Sequence, residues 1–184
     1  MIFLNINFEN SIHLNYINIL SKRNNFYKDD LNSWLYTDDI KSSFNNWNKY
    51  YINNKNKDIF IIPLWQGVFI SLNNKIIGFI IFYQRHYNDN IGNFLSIEFM
   101  LIDKKFQNNG YGKILLNYIY NQYNDKDFIV VCIENKNKFI NFYIKNGFID
   151  YKLINNNKCK NHYIEFSTFL NNNDFNWLYY KSKI

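Results

Sequence analysis

This sequence is poor in glycine, proline and cysteine, and it indicates neither a disulfide framework nor a structural metal site. Its 184 residues include six Gly, one Pro and two Cys. Cys132 lies inside an apolar run, as expected of a small buried side chain. No Cys pair or Cys/His spacing matches a disulfide framework or a zinc site, and no metal is predicted. A reducing compartment is therefore expected.

The sequence also lacks long apolar runs and long runs of one charge. No apolar stretch reaches about 18 residues, so no transmembrane helix and no membrane partner are predicted. The start, Met1 to Phe8, is too short and not basic enough for a signal peptide. The formal net charge is +6, but Lys and Arg are scattered, which is not typical of a nucleic-acid surface. We expect a cytoplasmic protein without a nucleic-acid partner.

What the chain does have is apolar and aromatic residues in abundance. Hydrophobic residues make up 47% of it and aromatic residues 21%, so Phe, Tyr and Trp must fill much of the core. The length fits one domain, residues 1–184. Asn-rich stretches at 155–157 and 171–173 are interpreted as loops.

The periodicity of apolar residues predicts a mixed α/β protein. A first strand is expected at 2–6 and a helix at 11–23, with Ser11 as its N-cap. A second helical region carries Ile40, Phe44, Trp47 and Tyr51 on one stripe. Further strands are predicted at 67–72, 75–83, 94–102, 128–133, 149–154 and 162–170, and helices at 113–123 and 138–146. This order is typical of a mixed sheet rather than a doubly wound one.

One turn carries the strongest functional signal. The buried strand at 94–102 leads through residues 103–106 into Gln107-Asn108-Asn109-Gly110-Tyr111-Gly112 and then into a helix. Gly110 and Gly112 permit a tight turn, and the free N–H groups at the helix start favour an anion such as a pyrophosphate. A Walker loop is excluded by Gln107 and Ile114, and a Rossmann fingerprint by its missing third glycine. On this motif alone, a turn without a ligand remains an equal alternative.

The turn resembles the acyl-CoA motif of the GNAT superfamily of N-acetyltransferases, which it matches at Gln107, Gly110 and Gly112. A second family element, a helix ending in Phe-Tyr-x-Lys-x-Gly-Phe, is similar to residues 142–148 at the expected separation. The resemblance covers about residues 75–150 and implies the GNAT fold, a central, mostly antiparallel mixed sheet flanked by helices. Departures occur at Asn108, Lys136 and Phe139.

The resemblance implies direct acetyl transfer from acetyl-CoA to a primary amine, without a nucleophilic cysteine. Glu98, a carboxylate within a strand that is predicted to be buried, is the expected base, although the family often has it two residues earlier, at Ser96. Tyr143 matches the family tyrosine that protonates the CoA thiolate. The expected donor contacts are Met100, Leu101, Ile102, Gln107, Asn108, Asn109, Gly110, Tyr111, Gly112, Lys113, Asn135, Phe142 and Lys145.

The acceptor stays open at this point. A small-molecule amine is preferred over a protein terminus or a lysine, because the domain is compact and no interaction tail is evident. A GNAT-like module that binds CoA without catalysis is an alternative, motivated by Asn108 and Lys136, and a nucleic-acid-binding domain is a weaker one. The aromatic segment 175–180 is expected to pack on the domain or on a second copy in a homodimer.

Overall fold

A computed structural model describes residues 1–8, 10–24, 65–86, 92–134, 139–167 and 175–181. The predicted second helical region and Asn135 lie outside these ranges. No helix within the described ranges is long and apolar enough to cross a membrane.

Seven strands form one mixed sheet in the order β1-β2-β3-β4-β5-β7-β6. The strands are β1 (Ile2–Asn5), β2 (Trp65–Leu72), β3 (Lys75–His86), β4 (Asn93–Ile102), β5 (Phe128–Glu134), β6 (Ile149–Asp150) and β7 (Phe175–Lys181). The helices are α1 (Ser11–Arg23), α2 (Tyr111–Gln122), α3 (Ile140–Lys145) and α4 (Asn157–Ser167). Within the described residues, β4 and β5 pair in parallel, whereas the pairs β1–β2, β2–β3, β5–β7 and β6–β7 are antiparallel. The predicted mixed, mostly antiparallel sheet is therefore confirmed.

The described residues fall into two compact units, and the first comprises residues 1–83 and 99–116. Its helix α1 has the predicted bounds, but its N-cap is Asn10 rather than Ser11, because the Asn10 side chain accepts hydrogen bonds from the N–H groups of Ile12 and His13. The helix packs its buried side chains on those of β2, β3 and the end of β4. The cluster contains Ile6, Phe8, Leu14, Ile17, Leu20, Phe69, Phe79, Ile81 and Leu101.

The strands β2 and β3, both predicted from the sequence, are joined by a two-residue turn. Asn73 and Asn74 both adopt positive φ, 49° and 59°, as a type I′ turn requires. The strand β3 then continues to His86, three residues beyond its predicted end at 83.

The second unit comprises residues 84–98 and 117–184. Its parallel β4–β5 ladder pairs residues 94–97 with 128–131. The strand β7 pairs with all of β5, from Phe128↔Lys181 to Glu134↔Phe175. The aromatic rings of Phe94, Phe128 and Tyr179 pack together, with Phe94 and Phe128 stacked at 5.5 Å between centroids. The aromatic segment near the end of the chain is therefore a strand of the sheet.

Two predicted strands are wrong. At 149–154 only Ile149–Asp150 is a strand, because the Asp150 carboxylate accepts a hydrogen bond from the N–H of Lys152 and starts a 3-10 turn. At 162–170 the predicted strand is replaced by α4 up to Ser167. The Asn156 side chain caps this helix by accepting hydrogen bonds from the N–H groups of Lys158 and Cys159. That the whole chain is one domain stays a prediction.

Candidate functional site in two parts of the chain

The turn between β4 and α2 lies in the first unit, and hydrogen bonds of its own side chains stabilise it. The strand ends at Ile102, and a 3-10 turn, Lys104–Phe106, follows. The fully buried Asp103 caps this turn by accepting a hydrogen bond from the N–H of Lys105. Gln107, the first residue of the predicted motif, donates from Nε2 to the carbonyl oxygen of Ile102 at 2.7 Å. The Gln107 side chain thus ties the turn to the strand that precedes it.

The N–H groups of the turn are open to a ligand. The first hydrogen bond of α2 runs from the N–H of Ile114 to the carbonyl oxygen of Gly110, at 3.1 Å. The N–H groups of residues 108–113 precede it, and no described residue accepts a hydrogen bond from them. Asn108 and Gly110 have φ of 62° and 81°. The left-handed residues turn the backbone so that several N–H groups are presented at one place, as an anion site needs.

Gly110 has space around it. A Cβ at this position would meet no atom within 4 Å, so the backbone is open to close approach from outside. The residues of the turn are exposed or half-buried, and Lys113 is exposed. No acidic residue lies between Lys104 and Asn124. The helix dipole, the open N–H groups and nearby lysines together favour a phosphate or pyrophosphate.

The predicted pantetheine-binding residues occupy the end of β4, also in the first unit. Leu101 and Ile102 are buried, and Leu101 belongs to the core that α1 covers. Met100 is half-buried. The side chains of Leu101 and Ile102 are thus committed to packing, so their contribution to a ligand would come from the backbone.

Glu98 lies in the second unit, just after the paired segment of β4. Contrary to the prediction of a buried carboxylate, Glu98 is exposed. The buried hydroxyl of Ser96, two residues earlier on the same strand face, donates a hydrogen bond to its Oε1 at 2.8 Å. The end of the β4–β5 ladder explains the difference, since β4 is buried up to Ile97, its last residue paired with β5, and becomes exposed at 98. An exposed, oriented carboxylate can exchange protons with bound water, which suits a base.

Cys132 lies close enough to Glu98 for the two to interact electrostatically. Burial raises the pKa of the Cys132 thiol, and the negative charge of Glu98 raises it further. The thiol therefore stays protonated, which makes it a poor nucleophile. This agrees with the structural role expected from the sequence.

Tyr143 lies on α3, in the second unit, and is buried. Its ring makes edge contacts with Phe142 and Phe148, each at 5.2 Å between centroids. Burial raises the pKa of its hydroxyl, so the hydroxyl keeps its proton at neutral pH. No described residue forms a hydrogen bond with this hydroxyl. The hydroxyl is therefore a protonated donor on a ring held in place by its aromatic neighbours, and no described residue accepts a hydrogen bond from it.

Residues that sequence reasoning missed support α3. The hydroxyl of Tyr120 donates to the carbonyl oxygen of Asn146 at 3.3 Å, and its ring stacks on Tyr180 at 3.9 Å. Gly147, at φ 93°, ends the helix as predicted, and a Cβ there would lie 3.0 Å from the Tyr180 ring. The predicted donor contacts Phe142 and Lys145 are half-buried and exposed, respectively. The stacking partner from β7 could not be found, because that strand was not recognised.

Among the described residues, no group of three or more His, Cys, Asp or Glu side chains is placed to hold a metal ion. The candidate chemistry therefore rests on backbone N–H groups in one unit and on Glu98 and Tyr143 in the other.

Comparison with known protein families shows which class of enzyme this arrangement resembles. A family model described as an acetyltransferase (GNAT) domain matches residues 64–150, a range that includes the turn, Glu98 and Tyr143. Just under half of the chain thus matches the GNAT acetyltransferases. Their donor substrate is acetyl-CoA, and the prediction of an acyltransferase with this donor is confirmed at the level of the family. No curated protein sequence matched the chain.

Several solved structures share the fold of this chain. The PaiA N-acetyltransferase of Thermoplasma acidophilum, solved with coenzyme A, is 13% identical at TM-score 0.59, with 98% of this chain and 99% of that one covered. Tetrahymena GCN5 is 16% identical at TM-score 0.58, covering 100% and 99%. A spermidine N-acetyltransferase SpeG chimera from Vibrio cholerae is 12% identical at TM-score 0.55, covering 99% and 96%. The predicted GNAT fold is thus confirmed, and at these identities the similarity extends to the fold alone.

Proposed function

We propose that this protein transfers an acetyl group from acetyl-CoA to a primary amine of a small molecule, by direct attack of the amine. The observation that carries the proposal is the turn at 107–112, where open N–H groups surround a glycine with free space beside it. A diphosphate needs such a surface, because several N–H donors can share its charge only if no side chain keeps it away.

The donor contacts divide by chemistry. The N–H groups of residues 108–113 bind the pyrophosphate, with Lys113 and Lys145 adding positive charge. The backbone at Met100, Leu101 and Ile102 binds the pantetheine, while Asn135 and Phe142 complete the proposed donor contacts. Gln107 acts through its hydrogen bond to Ile102, which holds the start of the turn in place.

The proton transfers follow from two side chains. Glu98, oriented by Ser96, takes a proton from the amine, directly or through a water molecule. The neutral amine then attacks the thioester carbonyl carbon, the C–N bond forms and the C–S bond breaks. Tyr143 gives its hydroxyl proton to the departing thiolate. Because burial raises the pKa of this phenol, the hydroxyl still carries its proton when the thiolate leaves. As the tetrahedral intermediate collapses, the attacking nitrogen gives up its second proton, which restores the Tyr143 hydroxyl. Of the two protons that the ammonium form of the acceptor loses, one is thus held by Glu98 and one reaches the sulfur, so the step balances.

A small-molecule acceptor is the finer part of the proposal. It is supported by the fold similarity to a spermidine N-acetyltransferase. The fold similarity to GCN5 and PaiA does not separate the acceptor classes, so the test must include peptides. Acidic pairs that could attract a cationic amine, at 29–30 and 38–39, lie outside the described residues.

The test is release of free CoA from acetyl-CoA, measured with a panel of polyamines, amino sugars, amino acids and peptides with free N-termini or lysines. We expect turnover with at least one small amine that exceeds turnover with every peptide. Turnover only with peptides would move the proposal to a protein acetyltransferase. CoA binding without turnover of any amine would favour the non-catalytic module.

A further inference from the structure

The C-terminal end of α1 is fastened to the residues that lead into the donor turn. The guanidinium of Arg23 forms an ion pair with Oδ2 of Asp103, 80 residues later in the sequence. The Asn24 side chain accepts a hydrogen bond from the N–H of Lys104 at 2.7 Å. Asn24 is itself fixed, because its Nδ2 donates to the carbonyl oxygen of Leu20 at 2.7 Å. Arg23, Asn24 and Asp103 are called the α1 latch below.

The charges of the latch depend on each other. The Asp103 side chain has no exposure, whereas that of Arg23 is 40% exposed. Burying a carboxylate without a partner is costly, and a buried pair that loses one partner leaves an uncompensated charge. Removal of Arg23 would therefore leave the buried Asp103 without the ion pair that offsets the cost of its burial.

Asp103 in turn shapes the backbone before the turn. Its Oδ1 accepts from the N–H of Lys105 at 3.2 Å, and its own N–H donates to the carbonyl oxygen of Ile77 at 2.8 Å. With the Asn24 contact, two successive N–H groups, those of Lys104 and Lys105, have side-chain acceptors. The open N–H groups begin only three residues after Lys105. A change in the path at 104–105 is carried directly into the direction of those groups.

We propose that Arg23 and Asn24 are positioning residues for the CoA donor, acting through the α1 latch on the turn at 107–112. Both lie outside the 64–150 range that matches the family model, so the family match gives them no role. The inference rests on the proposed function, since it assumes that the turn binds the donor phosphates. It predicts that the latch sets donor affinity rather than the rate of acetyl transfer.

The experiment compares Arg23→Met, Arg23→Lys and Asn24→Ala with the control Lys22→Met in the full chain. Lys22 precedes Arg23 on α1 and is exposed, so its removal takes away the same charge without touching Asp103. Calorimetry measures the Kd for CoA below each melting temperature, and kinetics give kcat and the separate KM values for acetyl-CoA and amine.

We expect Arg23→Met to raise the Kd for CoA and the KM for acetyl-CoA about tenfold, because small misplacements of binding groups have effects of this size or more. Asn24→Ala, which keeps the buried ion pair, should raise both about threefold. Arg23→Lys should recover most of the loss, and Lys22→Met should stay within about twofold, while kcat and the KM for the amine hold in all variants.

Equal CoA affinity in the wild type and in the folded latch variants would overturn the inference and leave the proposed function standing. Equal losses in Lys22→Met and Arg23→Met would also overturn it, because charge alone would then explain the effect. If Arg23→Met does not fold, Asn24→Ala decides. Failure of the wild type to bind CoA would instead refute the proposed function.

Discussion

The two units of this chain contribute to the proposed reaction in different ways. In the first, the candidate binding groups are backbone N–H groups, and the side chains around them, Asp103 and Gln107, only hold the backbone. In the second, the candidate groups are the side chains Glu98 and Tyr143, presented by a strand and a short helix. Backbone donors suit a diphosphate, whereas proton transfer needs groups that titrate. We therefore expect substitutions in the first unit to change affinity and those in the second to change rate.

Two glycines with the same backbone conformation show the same division. Gly110 and Gly147 both have strongly positive φ, 81° and 93°. A Cβ at Gly110 would meet nothing within 4 Å, but one at Gly147 would lie 3.0 Å from the Tyr180 ring. The first glycine leaves space for a ligand, and the second allows close packing within the protein. The same backbone conformation thus leaves open space at Gly110 and permits close packing at Gly147.

Among substitutions in the second unit, Glu98→Gln is expected to lower the rate of acetyl transfer the most. It removes the proposed base and keeps the size of the side chain and its acceptor for Ser96. We expect kcat to fall by about a hundredfold, the lower end of general-base effects, with the Kd for CoA unchanged. Steady-state kinetics and calorimetry check both parts. A loss of CoA affinity with unchanged kcat would break the division between the units.

A smaller loss is expected for Tyr143→Phe, which removes one hydroxyl and keeps the ring packing with Phe142 and Phe148. Because an ordinary thiol has a pKa of about 8.5, its thiolate is already a good leaving group, so we expect kcat to fall only about tenfold. Stopped-flow detection of free CoA measures it. Tyr120→Phe is the matched control, because the Tyr120 hydroxyl contacts the carbonyl oxygen of Asn146 instead of being uncommitted. Equal losses of kcat in the two variants would argue against Tyr143 as the proton donor.

Gly147→Ala tests the packing role of the second glycine. An L-residue in the left-handed conformation costs about 1–2 kcal/mol, and the contact with Tyr180 adds to this cost. We expect the free energy of unfolding to fall by about 2 kcal/mol in denaturant titration, with the Kd for CoA unchanged. An unchanged stability would mean that the helix end adjusts, and the contrast with Gly110 would lose its basis.

The smallest effect is expected for Cys132→Ser. The thiol stays protonated, since both burial and the Glu98 carboxylate raise its pKa. Direct attack therefore predicts kcat within about twofold of the wild type. A large loss of kcat, together with acetylated Cys132 in mass spectrometry, would show a covalent route and contradict direct attack.

Local sequence chemistry was enough to predict much of the fold. The Asn73-Asn74 turn, the apolar strand before the motif and the glycine end of α3 each depend on residues within a few positions. The same holds for the donor turn, where Gly110 adopts the positive φ that permits the predicted tight turn before the helix. These features are predictable because propensity and tertiary structure agree there.

Other elements failed where capping competed with strand propensity. Asp150 and Asn156 each bind N–H groups two or three residues later, and these local bonds convert predicted strands into a 3-10 turn and a helix. The Asn cap ahead of helically spaced Cys159 and Tyr163 was the signal that could have found α4. The run of aromatic residues at 175–180 satisfied the strand rule but was interpreted as a tail.

Contacts between residues that are far apart in the sequence could not be predicted. Nothing in the sequence joins Arg23 to Asp103, or Tyr120 to Tyr180, because such contacts depend on how the sheet orders its strands. The exposure of Glu98 was likewise set by the point where the β4–β5 ladder ends. The roles assigned to Glu98, Tyr143 and the donor contacts stay predictions until the variants are measured.

The central claim is that the turn at 107–112 binds the phosphates of acetyl-CoA through its backbone. The most direct measurement is calorimetric titration of acetyl-CoA into the wild type, Gly110→Trp and Asn74→Trp. The control places the same bulk at another exposed position of positive φ, in the β2–β3 hairpin. The account predicts binding to the wild type and to Asn74→Trp, and at least about a hundredfold loss in a still-folded Gly110→Trp. Equal binding to all three proteins would contradict it.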